Sequence, residues 1–201
     1  MNAEESPALA KVDAFAQQIL SRVAPLTFGV ARSPAERNAV YRLRYAVVMN
    51  QGWARPEDLP DGLERDDFDD RAVQIVAWDS GKLVGTTRLV EPAPGCRMPV
   101  EKAFDLQIGN RGRVIDMGRT CRVPGQKDIG QRIIWGLLAK SWIELRSRGF
   151  AEVCGIFSPG MMRLYQRLRF RVEILCEARV HWGELRYPVL VRPAQCLELL
   201  G

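Results

Sequence analysis

A chain of 201 residues with 47% hydrophobic and 26% charged side chains has the composition of a globular domain with one sizeable core, which excludes a disordered or fibrous protein. Its 29 Lys and Arg against 24 Asp and Glu give a net charge of +5 and favour an acidic partner. The basic residues form no dense run and no apolar run reaches the roughly 18 residues of a membrane span, so neither nucleic-acid binding nor a membrane span is expected.

In chain order, Val12, Phe15, Ile19 and Val23 recur at helical spacing and predict a leading amphipathic helix within residues 1–24, followed by a short strand over 26–31. Ser33-Pro34-Ala35-Glu36 is a capped helix start, with Ser33 as cap, Pro34 in the first turn and Glu36 closing a capping box. That helix carries Val40, Leu43 and Val47 on one face and runs to about residue 49. Residues 50–70 hold breakers and dense charge, and read as a long ordered loop of the kind that usually serves function. Strands are predicted over 74–78 and 82–90, joined by a hairpin at Asp79-Ser80-Gly81, and a proline-bearing loop covers 91–99. An extended segment follows over 113–123. Residues 128–148 form the strongest helical pattern, with Asp128 and Gln131 as a capping box and Gly149 as its stop. A strand over 151–157, a short helix over 159–168 and strands over 171–178 and 187–192 complete an α/β (α+β) domain of residues 1–201, with a mixed, mainly antiparallel sheet flanked by helices.

Three patches carry chemistry. Gly62-Leu63-Glu64-Arg65-Asp66-Asp67-Phe68-Asp69-Asp70 crowds carboxylates that are either a solvated acidic loop or a site for a cationic amine. Arg88, in Gly85-Thr86-Thr87-Arg88-Leu89, sits in a strand and needs a carboxylate partner if buried. Asp116 and Arg119 stand three apart in Val114-Ile115-Asp116-Met117-Gly118-Arg119-Thr120-Cys121, on opposite faces of a strand unless a bulge intervenes, and Gly118 is where one would sit. A structural ion-pair network joining Arg44, Arg88 and the acids is the alternative to a catalytic role. The five cysteines, Cys96, Cys121, Cys154, Cys176 and Cys196, stand singly without a C-x-x-C pair, which argues against disulfides and zinc and suits a reducing cytoplasm. Cys121 reads as an inert thiol because no Cys/His arrangement accompanies it, and His181 reads as a strand or turn residue.

The order and spacing of these patches resemble the acyl-homoserine lactone synthases and the related long-chain N-acyl amino acid synthases, an autoinducer-synthase-like branch of the GNAT superfamily. Arg44 to Val48 resembles their Arg-x-x-x-Phe, with Val48 in place of Phe; Trp53 resembles their following tryptophan; Gly62 to Asp69 resembles Gly-Leu-Glu-x-Asp-x-x-Asp; Gly85 to Leu89 resembles Gly-x-x-Arg-Leu; and Asp116 to Arg119 resembles Glu-x-x-Arg, with Asp in place of Glu. Residues 57–69 are also similar to exosortase-associated acyltransferases, and residues 151–170 resemble a GNAT strand and helix in which Arg169 replaces the usual glycine.

The resemblance implies a GNAT-like sheet and transfer of a fatty acyl group from a thioester to the α-amine of an amino acid. Glu64 and Asp116 are the candidate bases, with Asp66 and Asp69 orienting the network or holding the ammonium. Arg88 or Arg119, with Arg44 in the same network, would grip the acceptor, and Trp53 and Phe104 would line an acyl tunnel. Main-chain N–H groups near Gly118, Thr120 and Cys121 would bind the oxyanion. No bound cofactor or metal is implied. Residues 126–132 hold one glycine where coenzyme A enzymes carry a Gly-rich turn, so acyl carrier protein, rather than acyl-CoA, is the expected donor and partner. An S-adenosylmethionine-dependent acyl-homoserine lactone synthase and a non-catalytic acyl-chain or carrier-protein binding module are the alternatives.

Overall fold

A computed structural model describes residues 7–109, 112–125 and 129–195. Helix α1 (Pro7–Arg22) buries Leu9, Val12 and Ala16, and strand β1 (Thr27–Val30) follows it. Helix α2 (Pro34–Gln51) begins at Ser33, whose side chain accepts from the Glu36 N–H while Glu36 reaches back to the Ser33 N–H, and ends at Gly52 in the left-handed conformation. Strands β2 (Ala72–Asp79) and β3 (Lys82–Val90) form a hairpin whose two loop residues, Ser80 and Gly81, both have positive φ.

A short helix α3 (Pro99–Phe104) begins where the loop predicted over 91–99 ends, in a stretch to which the sequence assigned no element, before strand β4 (Val114–Arg122). Helix α4 (Gly130–Ser147), strand β5 (Glu152–Phe157), helix α5 (Pro159–Arg167) and strands β6 (Val172–Ile174), β7 (Arg179–His181) and β8 (Glu184–Val191) follow. Asp128, the expected cap of α4, lies outside the described residues, as do Lys127 and Cys196. The strand expected over 171–178 is shorter, and the hairpin of β7 and β8 was not expected at all.

The sheet runs β1-β2-β3-β4-β5-β8-β6, with β7 attached to β8. Every pairing is antiparallel except β4 with β5, which is parallel and extends only from Val114↔Glu152 to Asp116↔Cys154. The main core lies between one sheet face and α1 and α4, and contains Ile75, Leu89, Ile115, Met117, Ile133 and Leu137. Helices α2 and α3 lie against the sheet on its other side. No helix among the described residues is long and apolar enough to cross a membrane.

Two local features make room for a site. Where β4 and β5 stop pairing, Gly155 approaches the Met117 carbonyl so closely that a Cβ there would fall inside contact distance of the oxygen. Beyond that point β4 has no strand partner on its β5 side, and a cleft opens between the two strands. The second feature is a bulge: Arg88 faces Gly118 and Thr86 faces Cys121, so Thr87 alone opposes both Arg119 and Thr120. Arg119 carries the bulge with φ +56, a conformation that costs a non-glycine residue about 1–2 kcal/mol. The sequence placed this irregularity at Gly118; it falls one residue later.

Candidate active site

The cleft holds a cavity of about 180 Å³ with Asp116, Gly118, Arg119, Thr120 and Cys121 on its β4 side. Ile156, Phe157 and Ser158 face them from β5 and its end, while α2 contributes Arg44, Val47 and Val48. Trp53 and Glu64 come from the long loop, and His181, Trp182 and Arg186 from the β7–β8 hairpin. That hairpin turns through Trp182 and Gly183, both at positive φ, so two residues suffice to fold it back beside the cavity.

Beside the cavity, three arginines and three carboxylates interlock. Buried Arg44 donates its Nε to Glu64 Oε2, and its two terminal nitrogens to Asp69 Oδ1 and Oδ2 at 2.7 and 3.0 Å. Arg88 Nη1 donates to Asp66 Oδ1 at 2.6 Å and to Asp69 Oδ2 at 3.1 Å. Arg119 donates to Glu64 Oε1 at 3.0 Å and to Asp66 Oδ2 at 3.1 Å. Asp69 also accepts from Gln74 Nε2 at 2.8 Å and from the Asp66 N–H at 2.8 Å. Five donors then meet one carboxylate with about four acceptor positions, which leaves no place for a substrate ammonium.

Burial by itself raises the Asp69 pKa, but the Arg44 hydrogen bonds and charge, with Arg88 and the Asp66 N–H, outweigh it and hold the carboxyl near 2. Arg44 loses by burial and gains more from Asp69 and Glu64, so its pKa is raised. The ion-pair network that the sequence offered as an alternative is therefore present, and it contains Glu64, Asp66 and Asp69 together. The remaining acids of the 62–70 patch, Asp67 and Asp70, are exposed.

Asp116 is different. It is buried, and no arginine forms an ion pair with it among the described residues. Its Oδ2 accepts from the Val100 N–H at 2.9 Å and from Cys154 Sγ at 3.9 Å, while Oδ1 has no hydrogen-bond donor among the described residues. Burial dominates over the Val100 hydrogen bond and the charges of Arg88 and Arg119, and lifts its pKa to about 6. A carboxylate of that basicity lining a cavity can take a proton at neutral pH.

The other expected site residues fall as follows. Trp53 lines the cavity, and the Arg186 guanidinium carbon lies over its ring, 4.6 Å from the centroid. Phe104 does not line it; its ring packs with Met98, Val100, Ile108 and Val114 beneath Arg179. Burial pushes the Cys121 thiol up to about 12, which fits an inert thiol. His181 ends β7, and burial, then the charges of Arg119, Arg186 and Arg179, lower its pKa. Trp182 and Arg186 were missed from sequence; the Trp182-Gly183 pair between short polar-alternating runs was the available signal. Among the described residues no group of His, Cys, Asp and Glu is arranged to hold a metal ion.

A second, larger and mostly apolar cavity of about 410 Å³ lies on the helical side, between α1, α4 and α5, with Phe15, Trp135, Leu138 and Phe170 in its walls. Met117 borders both cavities, so they flank β4 where the sheet splays.

Residues 43–127 match the family described as an acetyltransferase (GNAT) domain. No curated protein matches the sequence. Among solved structures, the chain is similar to TofI in a ternary complex with an inhibitor and MTA, with 21% identity over 87% of this chain and 95% of TofI and a TM-score of 0.68. It is similar to the CoA-dependent acyl-homoserine lactone synthase BjaI, solved with SAM and isopentyl-CoA, with 19% identity over 82% and 79% of the two chains and a TM-score of 0.57. It is also similar to FeeM, an N-acyl amino acid synthase from uncultured soil microbes, with 16% identity over 83% and 88% and a TM-score of 0.60. At these identities the likeness is one of fold, a GNAT-like α/β fold.

Proposed function

We propose that this chain, which carries a GNAT-type acyltransferase domain, moves a fatty acyl group from a carrier-protein thioester to the α-amine of an amino acid. The observation that carries the reading is Asp116: a buried, unpaired carboxylate of raised pKa, lining a cleft where β4 has lost its partner strand. The ammonium of the acceptor first loses a proton to water. Its nitrogen then attacks the thioester carbonyl carbon, forming the C–N bond, while Asp116 Oδ1 takes the second proton directly or through a water. Main-chain N–H groups between Gly118 and Cys121 stabilise the oxyanion. Collapse breaks the C–S bond, and the departing thiolate receives the proton held by Asp116.

Glu64, gripped by Arg44 and Arg119, remains a candidate for the water that links amine and base. Arg44, Arg88, Asp66 and Asp69 fix the loop that presents it. The acyl chain passes Met117 into the 410 Å³ apolar cavity, a role supported by its apolar walls and by Met117, which borders both cavities. Carrier protein as donor is supported by the net charge of +5, and a phosphate on the pantetheine arm would meet Arg122, whose guanidinium packs against Gly130 at the start of α4. The similarity of fold to BjaI, whose ligands include SAM, supports a second reading, acyl-homoserine lactone synthesis.

Mass spectrometry of lipid extracts from cells producing the protein or its Glu64→Gln, Asp116→Asn double variant tests the reading. N-acyl amino acids that accumulate with wild type alone support it. Acyl-homoserine lactones would support the second reading, and carrier-protein binding retained by both proteins without any product would make the chain a binding module.

A further inference from the structure

The arginines that the sequence offered for gripping the acceptor are already engaged. Arg88 is buried against Asp66 and Asp69, and Arg119 bridges Glu64 and Asp66. The same cavity contains another guanidinium, Arg186 on β8, with its side chain 12% exposed. Its only ion pair among the described residues is with Glu184 at 3.1 Å, a neighbour on its own strand whose side chain is 36% exposed. Its Cζ lies over the Trp53 ring, 4.6 Å from the centroid, and with one terminal nitrogen at Glu184 the planar guanidinium has further N–H donors to offer an anion.

Burial lowers the pKa of Arg186 most, Glu184 partly offsets this, and a second cation lies close by. Arg119 acts on Arg186 as a like charge, and Arg119, Arg179 and Arg186 all act on His181. Arg119 itself stacks on Trp182 at 4.9 Å, so two guanidiniums, each on a tryptophan, face one small cavity from the bulge and the hairpin. An anion there relieves their repulsion and meets a planar fork suited to a carboxylate.

We propose that Arg186 receives the carboxylate of the acceptor and so makes the enzyme select α-amino acids over amines that lack one. This rests on the N-acyl transfer reading and deepens it. Arg186 and Asp116 line the same 180 Å³ cavity, so a small acceptor anchored at Arg186 presents its α-amine toward the base. A cationic acceptor without an accessible carboxylate is disfavoured by the same residues.

The test compares each amino acid with its own primary amide as acceptor, using acyl carrier protein loaded with a fatty acyl chain, for wild type, Arg186→Gln and Arg186→Lys. Isothermal titration of the same acceptors without donor runs in parallel. Wild type is expected to prefer acid over amide by about 10- to 100-fold in kcat/KM, the effect of one charge-assisted forked hydrogen bond. In Arg186→Gln that preference shrinks to within about 3-fold through a raised KM for the acid, with Arg186→Lys between, because its ammonium keeps the charge but not the fork. Equal losses for acid and amide would make Arg186 only a prop for Trp53 and overturn the proposal. So would a raised KM for the acyl donor in place of the acceptor, which would assign the anion to the pantetheine phosphate. If wild type acylates no amine yet binds the acids, and Arg186→Gln does not, the carboxylate site stands and the transfer reading falls; equal binding of acids and amides by wild type overturns the site itself.

Discussion

Asp116→Asn is expected to abolish turnover and, at neutral pH, to make the protein more stable. Asp116 has a folded-state pKa of about 6 against an ordinary value of 3.8, because burial penalises its charged form. The sign follows from proton uptake: between pH 3.8 and 6 the unfolded chain has released this proton while the folded protein still holds it, so stability falls as pH rises through that window. At about 1.4 kcal/mol for each pH unit, charged Asp116 costs the native state at most about 3 kcal/mol at pH 7.5. Asn removes that cost while its carbonyl oxygen can still accept from the Val100 N–H, so a gain of about 1–3 kcal/mol is expected. Urea unfolding of both proteins at pH 4, 5, 6 and 7.5 measures it: the gain should be near zero at pH 4 and grow to its full size by pH 7.5. A variant whose stability relative to wild type does not change with pH, or worsens as pH rises, refutes the assignment of a raised pKa to this buried acid. Wild-type turnover should also rise with pH through about 6, as Asp116 becomes able to accept a proton.

Asp69→Asn breaks a buried network at its most connected carboxylate and should cost about 3–5 kcal/mol at neutral pH, read by urea unfolding. Because the Asp69 pKa is depressed to about 2, its stabilisation is present above pH 3.8 and should fade as pH falls through about 2, and this acid limb should be missing in the Asn variant. Gly155→Ala drives a methyl group into the Met117 carbonyl, so a loss of about 1–3 kcal/mol together with impaired turnover is expected from unfolding and acyl-transfer assays. The half-buried Cys121 thiol, pushed up to about 12, should be alkylated by iodoacetamide at pH 8 much more slowly than the exposed Cys176, as mapped by peptide mass spectrometry; equal rates would contradict its raised pKa.

Features that depend on a few neighbouring residues were legible in the sequence. Ser33 and Glu36 make their capping box, and Asp79-Ser80-Gly81 makes its hairpin, because both are local hydrogen-bonding and φ requirements. That only a bulge could bring Asp116 and Arg119 to one face followed from strand periodicity, although the bulge itself, at Arg119 and Thr120, depends on the pairing with β3. What the acids do was not legible: whether Asp69 meets a substrate or Arg44 is decided by residues 25 positions apart. The contrast between paired Asp69 and unpaired Asp116 arises only when α2, the loop and β4 come together. The α3 helix is only 6 residues long and starts at a proline, too short for a periodic signal. The β7–β8 hairpin escaped because β7 has three residues and exposes Val180, so no core-facing alternation marked it. Arg186 escaped with it.

The central claim is tested most directly with purified protein, acyl carrier protein loaded with one defined fatty acid, a mixture of the common amino acids and S-adenosylmethionine, with products resolved by liquid chromatography and mass spectrometry. The account predicts an N-acyl amino acid formed in step with release of free carrier thiol, and its loss in Asp116→Asn. An acyl-homoserine lactone that appears only when S-adenosylmethionine is present, or an Asp116→Asn variant that makes the amide as fast as wild type, would contradict it.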